Sequence, residues 1–397
     1  MNLRAYSILP TLLCLVGTFA LAQPAVQKKI QTDLILADDG AVIELPAGTF
    51  ALTGSLSLQD KANVTVRGAA DGKTILSFKN QTDGAEGLRI TNGQNIVLEN
   101  LTIQDTKGDG IKTMNVRGIT FRNVRTEWTG ELSKNNGSYG LYPVQCDNVL
   151  IERCVAVGAS DAGIYVGQSR NIVVRNCVAY HNVAGIEIEN SIGADVYQNE
   201  AYDNTGGILV FDLPDLVQKR GGNVRVYDNH IHDNNLDNFA PKGNIVARVP
   251  AGTGVLILAT NHVEVFGNRI FDNKSLGTGI ISYFITEEPI KDSLYNPYPS
   301  SISIHDNTYR RAAVHPTHKG RMGMMFRFKL RFGKDVPDII WDGIAADKMP
   351  ADQPVLCLRN NANARFANID AGNKFKNISR DMSKVTCALP KLEAVRP

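Results

Sequence analysis

A short unit recurs along the middle of the chain and limits its fold more than any other feature. Asn-bearing strands read Asn95-Ile-Val-Leu-Glu-Asn100, Asn148-Val-Leu-Ile-Glu-Arg153, Asn171-Ile-Val-Val-Arg-Asn176, Asn223-Val-Arg-Val-Tyr-Asp-Asn229 and His262-Val-Glu-Val-Phe-Gly-Asn268. About ten residues after most of them comes a Gly and an aliphatic residue: Gly110-Ile111, Gly140-Leu141, Gly163-Ile164, Gly185-Ile186, Gly207-Ile208, Gly254-Val255 and Gly279-Ile280. From Gly110 to Gly207 the successive glycines are 30, 23, 22 and 22 residues apart. A fixed period of this size marks stacked supersecondary units. About 22 residues hold three short strands and three bends, which predicts an all-β, single-stranded right-handed parallel β-helix. Nine rungs at about 4.8 Å would make a rod about 40 Å long.

Strand side chains alternate, so the residue after each Gly points inward and the next outward. The outward row reads Lys112, Tyr142, Tyr165, Glu187, Leu209, Leu256 and Ile281. The row two residues further on reads Met114, Val144, Gly167, Glu189, Phe211, Leu258 and Tyr283. The first half of this face is polar and aromatic. The second half is apolar and is expected to be covered by the loops 213–222 and 285–300. Loops at 125–138 and 235–253 leave the rod before the Gly-aliphatic strand, and such insertions can wall a groove. Lys112, Tyr139, Tyr142 and Glu187 are the candidate catalytic residues. Tyr165, Gln145, Gln168 and Glu189 are the candidate substrate-binding residues. Tyrosines and carboxylates in a flat groove suit sugar rings. Lys, Tyr and Glu together can also supply the acid, base and charge neutraliser for removing a proton beside a carboxylate. Against this stands the plain alternative that a β-helix must show something polar to water.

The Asn residues 100, 123, 176, 199, 229, 268 and 307 read as one structural ladder at a bend, because Asn tolerates left-handed backbone. Residues 23–40 read as a short helix with Val26, Ile30, Leu34 and Ile35 at helical spacing, covering the open end of the strand stack. The division is residues 1–22 as a signal peptide, 23–59 as cap and entry strands, 60–310 as the rod and 311–397 as a C-terminal cap. In that cap Phe326-Arg-Phe-Lys-Leu-Arg-Phe332 alternates like a half-buried strand. Arg4, the apolar run from Ile8 to Leu21 and Ala20-Leu21-Ala22 carry the signal reading; the run is too short for a membrane span. A secreted or periplasmic protein follows.

Cleavage would remove Arg4 alone and lower the formal charge from +2 to +1, which argues against a nucleic-acid partner. Basic residues from Arg310 to Lys334 read as a solvated face. Five cysteines would remain. Cys357 and Cys387 bracket an Asn-rich tail and are the best candidate pair. Cys154 and Cys177 occupy one repeat position and should stack, either bonded or as apolar neighbours. No cofactor and no metal is expected. His230-x-His232 and His315-x-x-His318 lack the nearby carboxylate or Cys pattern of a metal site, and the acids Asp212, Asp215, Glu287 and Glu288 read as surface groups rather than Ca²⁺ ligands.

From Tyr139 to about Asn204 the chain resembles the β-helix modules of bacterial mannuronan C5-epimerases. The stretches that carry the likeness are Tyr139-Gly-Leu-Tyr-Pro143, Asn148-Val-Leu-Ile-Glu-Arg-Cys-Val-Ala-Val157 and Asn182-Val-Ala-Gly-Ile186. That family's motif runs Tyr-Gly-Phe-Asp-Pro-His, with a further Asp on the next rung. Only its tyrosine carries over, at Tyr139. Tyr142, Val144 and Gly167 stand at the Asp, His and second Asp positions, so epimerisation by that mechanism is not expected. Taken whole, the chain looks more like an uncharacterised family of exported bacterial β-helix repeat proteins. Its tail from Cys357 (Cys-Leu-Arg-Asn-Asn…Asn-Ile-Asp-Ala-Gly-Asn) is part of that likeness, which implies c-type haem proteins as partners. The functional expectation is a protein that binds a uronan-like polysaccharide along its polar face. The alternatives are a polysaccharide lyase or epimerase, and a scaffold for an exported partner.

Overall fold

The computed structural model describes residues 23–70, 72–346 and 354–396; the expected signal peptide lies outside them. Each rung of the chain gives one short strand to each of three sheets, of eleven, ten and eleven strands, and the pairs joining successive rungs are parallel. The architecture is a right-handed parallel β-helix. At ~4.8 Å per step, ten steps make a rod of roughly 48 Å.

The interior is a set of aliphatic rows. In the first sheet Ile96, Ile119, Val149, Ile172, Ala194, Val224, Val263 and Ile302 lie in register and are buried. The repeated glycine has a steric cause. A Cβ at Gly140 would lie 2.4 Å from the Gly163 carbonyl oxygen, and one at Gly254 would lie 2.4 Å from that of Gly277. The backbones of successive rungs approach too closely there for any side chain. By the same contact and by register the last repeat glycine is Gly277, since Val255 pairs with Thr278. The expected Gly279-Ile280 pair is therefore two residues out of register. Ile281, not Tyr283, aligns with Leu258.

The Asn row also divides in two. Asn100, Asn123 and Asn176 occupy the left-handed bend itself, with φ of 59°, 53° and 54°. Asn199, Asn229, Asn268 and Asn307 sit one residue later and point inward. Each donates its Nδ2 to the Oδ1 of the next, at 2.9–3.0 Å from Asn199 to Asn361. Cys177 N–H donates to Asn199 Oδ1, and Cys154 N–H to Cys177 Sγ, so the two cysteines begin this ladder as free thiols. A second ladder, Asn182–Asn204–Asn234–Asn273, runs along another bend.

Outside the first sheet, alternating charges link Glu44, Arg67, Glu99, Arg122, Glu152 and Arg175. In register with them the row becomes aromatic: Tyr197, Tyr227, Phe266 and His305 stack with centroids 4.8–5.2 Å apart.

Helix α1, Gln23–Leu36, lies over the first rung with Ile30 and Leu34 buried, while Ile35 faces solvent. At the other end residues 320–329 are helical, a short α2 (Gly320–Met324) running into a π-helix over Met325–Lys329. The strand expected over 326–332 does not form. Ile339–Trp341 takes the next place in the third sheet, so no edge is open to the segment. Phe326 and Leu330, four apart, are buried, and Phe328 is exposed, which is a helical pattern. Cys357 and Cys387 are bonded across 30 residues.

Candidate functional site

Midway along the third sheet, tyrosines, a lysine and carboxylates gather on its outer face. Register sets Lys112 beside Tyr142 and Tyr165 beside Glu187. Tyr139, at the start of its strand, lies with its ring centroid 4.5 Å from that of Tyr142 and 4.4 Å from that of Tyr165. Lys112 Nζ sits 4.8 Å above the Tyr142 ring and 3.9 Å from Asp109 Oδ2. Tyr165 Oη donates to Glu189 Oε1 at 2.5 Å.

The groove is roofed, not flat and open. Tyr165, Glu187, Glu189 and Asp161 are buried, and Glu187 is 1% exposed. Segment 236–252 lies over them. Val246 and Val249 pack with Ala162, Ala184 and Tyr165, and Asn244 Nδ2 donates to Asp161 Oδ2 at 2.8 Å. Lys112, Tyr139 and Tyr142, each only partly exposed, form the lip.

Two expected residues lie apart from this group. Gln145 occupies a left-handed bend beside Asn92, Asn115 and Asp147. Gln168, in the corresponding bend of the next rung, accepts Val217 N–H and Gln218 N–H and so holds the 213–222 loop. Two acids of the cluster, Asp109 and Asp161, escaped the strand-by-strand reading because they sit in bends before the Gly-aliphatic strands. Their only sequence signal is an acid one or two residues before a repeat glycine.

Electrostatics follow from the roof. Burial raises Glu187 well above the carboxylate range, and Asp161 and Glu189 push it further. Both Glu187 carboxyl oxygens are buried without a hydrogen-bond partner among the described residues. Burial moves Asp161 to about 7, and burial moves Glu189 to about 7 against the pull of the Tyr165 hydroxyl. Asp109 rises to about 6, again by burial, with Lys112 opposing. Burial also lifts Tyr142 to about 12 and Tyr139 well above its usual value. The tyrosines therefore keep their protons and suit an acid role. The bases available are the carboxylates.

The rest of this face is apolar. Leu209, Phe211, Leu256 and Leu258 are covered by segments 236–252 and 285–295 and by Leu213. A cavity of about 1090 Å³ opens beyond them, lined by Phe211, Phe284, Met325, Phe328 and Phe375 with Arg321, Lys329, Arg331 and Lys374 among its charges. None of the tyrosine–carboxylate cluster lines it, so volume and proton chemistry lie in different places. The basic stretch is partly paired, with Arg310 on Asp272, Lys319 on Asp237 and Arg321 on Glu287. Asp212 is buried with both carboxylate oxygens accepting Gly221 N–H, and Glu288 pairs with Arg248; neither is a free surface acid.

Residues 131–284 match the family model described as a right-handed β-helix region. A capsule K1-specific depolymerase of Klebsiella phage K64-1 is 23% identical over 164 residues, which is 34% of this chain and 17% of the depolymerase. The match thus spans less than a fifth of that relative's length. Among solved structures, the A-module of a mannuronan C-5 epimerase of Azotobacter vinelandii aligns with a TM-score of 0.54 at 16% identity, covering 85% of this chain and 90% of the module. The A-module of a second epimerase from that organism gives 0.51 at 17% identity, over 86% of this chain and 91% of the module. At such identities the likeness establishes the fold. The chain is a right-handed parallel β-helix protein, distantly similar to proteins that act on polysaccharides.

Proposed function

We propose that this protein engages an acidic, uronan-like polysaccharide at the lip of Lys112, Tyr139 and Tyr142, outside the cytoplasm. One observation carries the reading: carboxyl groups that hold protons near neutrality lie beside a cluster of three packed tyrosines, with Glu187 next to Tyr165 and Asp109 next to Lys112. Clustered, desolvated acids with shifted pKa values gather at functional sites, because an unpaired buried carboxyl is costly to keep for the fold alone. At the lip Lys112 Nζ can donate to a uronate carboxylate, and the Tyr139 and Tyr142 rings offer apolar surface to a sugar. The names of the relatives, a capsule depolymerase and mannuronan epimerases, support the substrate class.

A second reading is a β-eliminating lyase. It is favoured by the values near 7 at Asp161 and Glu189, since a general base works best with a pKa close to the operating pH. In it segment 236–252 lifts to admit the sugar, a carboxylate removes its proton, and Tyr139 or Tyr142 protonates the leaving oxygen. Incubating the protein with alginate and pectate, and following both retention in affinity gels and ultraviolet absorbance from new double bonds, separates the two. Retention without absorbance supports binding, and absorbance abolished by Glu189→Gln supports the lyase. Neither signal with any uronan refutes the carbohydrate reading and leaves the scaffold alternative. A c-type haem partner rests on the family likeness alone.

A further inference from the structure

The second sheet presents His230, Ile231 and His232 as one strand, with Ile231 fully inside and both imidazoles therefore outside. Register places Glu200 of the preceding rung beside His230. Glu200 Oε1 is 3.4 Å from His230 Nδ1 and 3.3 Å from His232 Nε2. One donor atom from each residue falls within 4.8 Å of the other two. Zinc–ligand distances of ~2.0–2.1 Å in a tetrahedron put neighbouring donors about 3.3 Å apart. Both carboxylate–imidazole distances meet that value.

The tautomer matters as much as the spacing. His232 Nδ1 lies 2.9 Å from Asp233 Oδ2 and its Nε2 3.3 Å from Glu200 Oε1, so the tautomer with its proton on Nδ1 has Nε2 free to ligate. A carboxylate on the far nitrogen of a ligating imidazole is also the usual support for such a ligand. Tyr202 stacks on the His232 ring at 5.3 Å and 8°, fixing its plane. The side chains remain 20–45% exposed, so a fourth position faces solvent. Arg269, in register with His230 on the next rung, weakens the site by its charge but does not occupy it.

We infer that Glu200, His230 and His232 form a site for a borderline divalent transition cation of the Zn²⁺ type, with Asp233 orienting His232 and one coordination position left for water or an exchangeable ligand. Two imidazoles exclude a preference for Ca²⁺ or Mg²⁺, which take oxygen donors. The site lies on a different sheet from the tyrosine–carboxylate cluster and stands independently of the polysaccharide reading.

Calorimetric titration of the untagged protein with Zn²⁺ at neutral pH tests it. One ion per chain is expected. His230→Ala and His232→Ala should each weaken binding at least 100-fold, Asp233→Asn about 10- to 100-fold, and His262→Ala not at all. Should a histidine variant melt abnormally without metal, Glu200→Gln takes its place, with the same expected loss. Zinc binding that is absent, or equally tight in His230→Ala, His232→Ala and Glu200→Gln, would overturn the site.

Discussion

Glu187 shows how much one residue's role depends on what covers it. Two residues after a repeat glycine, it reads as an outward surface acid; the roof makes it a buried, proton-holding group. A carboxyl with a raised folded pKa binds protons more tightly in the fold than in the unfolded chain. Its contribution to stability is fully present below the unfolded value of about 4 and is lost as pH rises through the folded one. For Asp161 and Glu189 the loss is complete above about 7. The melting temperature is therefore expected to fall between pH 5 and pH 8. Glu187→Gln should flatten that fall and stabilise the protein by on the order of 1–3 kcal/mol at pH 8, with little effect at pH 5. Melts of both proteins across the range check this; equal slopes would show that the pKa of Glu187 is not raised by folding. Binding of a uronan should weaken over the same interval, as the cluster becomes anionic. Asp109 and Asp161 were invisible to a reading by strand alternation because a bend, not a strand, points them at the site.

The elements are held by ladders rather than by individual contacts. Asn229 Oδ1 accepts Asn199 N–H and Nδ2, while its own Nδ2 donates to Val196 O and Asn268 Oδ1. Asn229→Ala leaves several of these buried groups unpaired at about 1–3 kcal/mol each, so a loss of at least ~3 kcal/mol in urea unfolding is expected. Asn123→Ala, at the exposed left-handed bend, should cost only about 1 kcal/mol of backbone strain. Equal costs would mean that the two Asn rows are not distinct. The two rows merge in the sequence because Asn176 and Asn199 are 23 residues apart where the rung spacing is 22, a one-residue offset seen only in backbone angle and hydrogen bonding. An inserted loop hid the pairing of Glu200 with His230, 30 residues apart across the 213–222 loop.

For the whole molecule the exposed risk is the first rung. Leu34 of α1 is 1% exposed against it. Leu34→Asp should lift the helix, open an unpaired strand edge and produce concentration-dependent association by light scattering. A monodisperse variant would show that the helix is not needed as a cap. At the far end the Cys357–Cys387 bridge closes a 30-residue separation, worth about 3–4 kcal/mol if the tail unfolds with the rod. Cys357→Ser is expected to expose the tail to limited proteolysis while the rod stays intact.

The repeat alone determined the rod, its inward aliphatic rows and the residues that share its third face. That is possible because parallel stacking at a fixed period is a local rule, repeated rung by rung. The glycines record it most directly, as places where the next backbone comes too close for a Cβ. Only the tertiary structure decided which polar residues are buried, which acids join them and which histidines meet a carboxylate. Those outcomes depend on where insertions of irregular length come to rest, and no period specifies that.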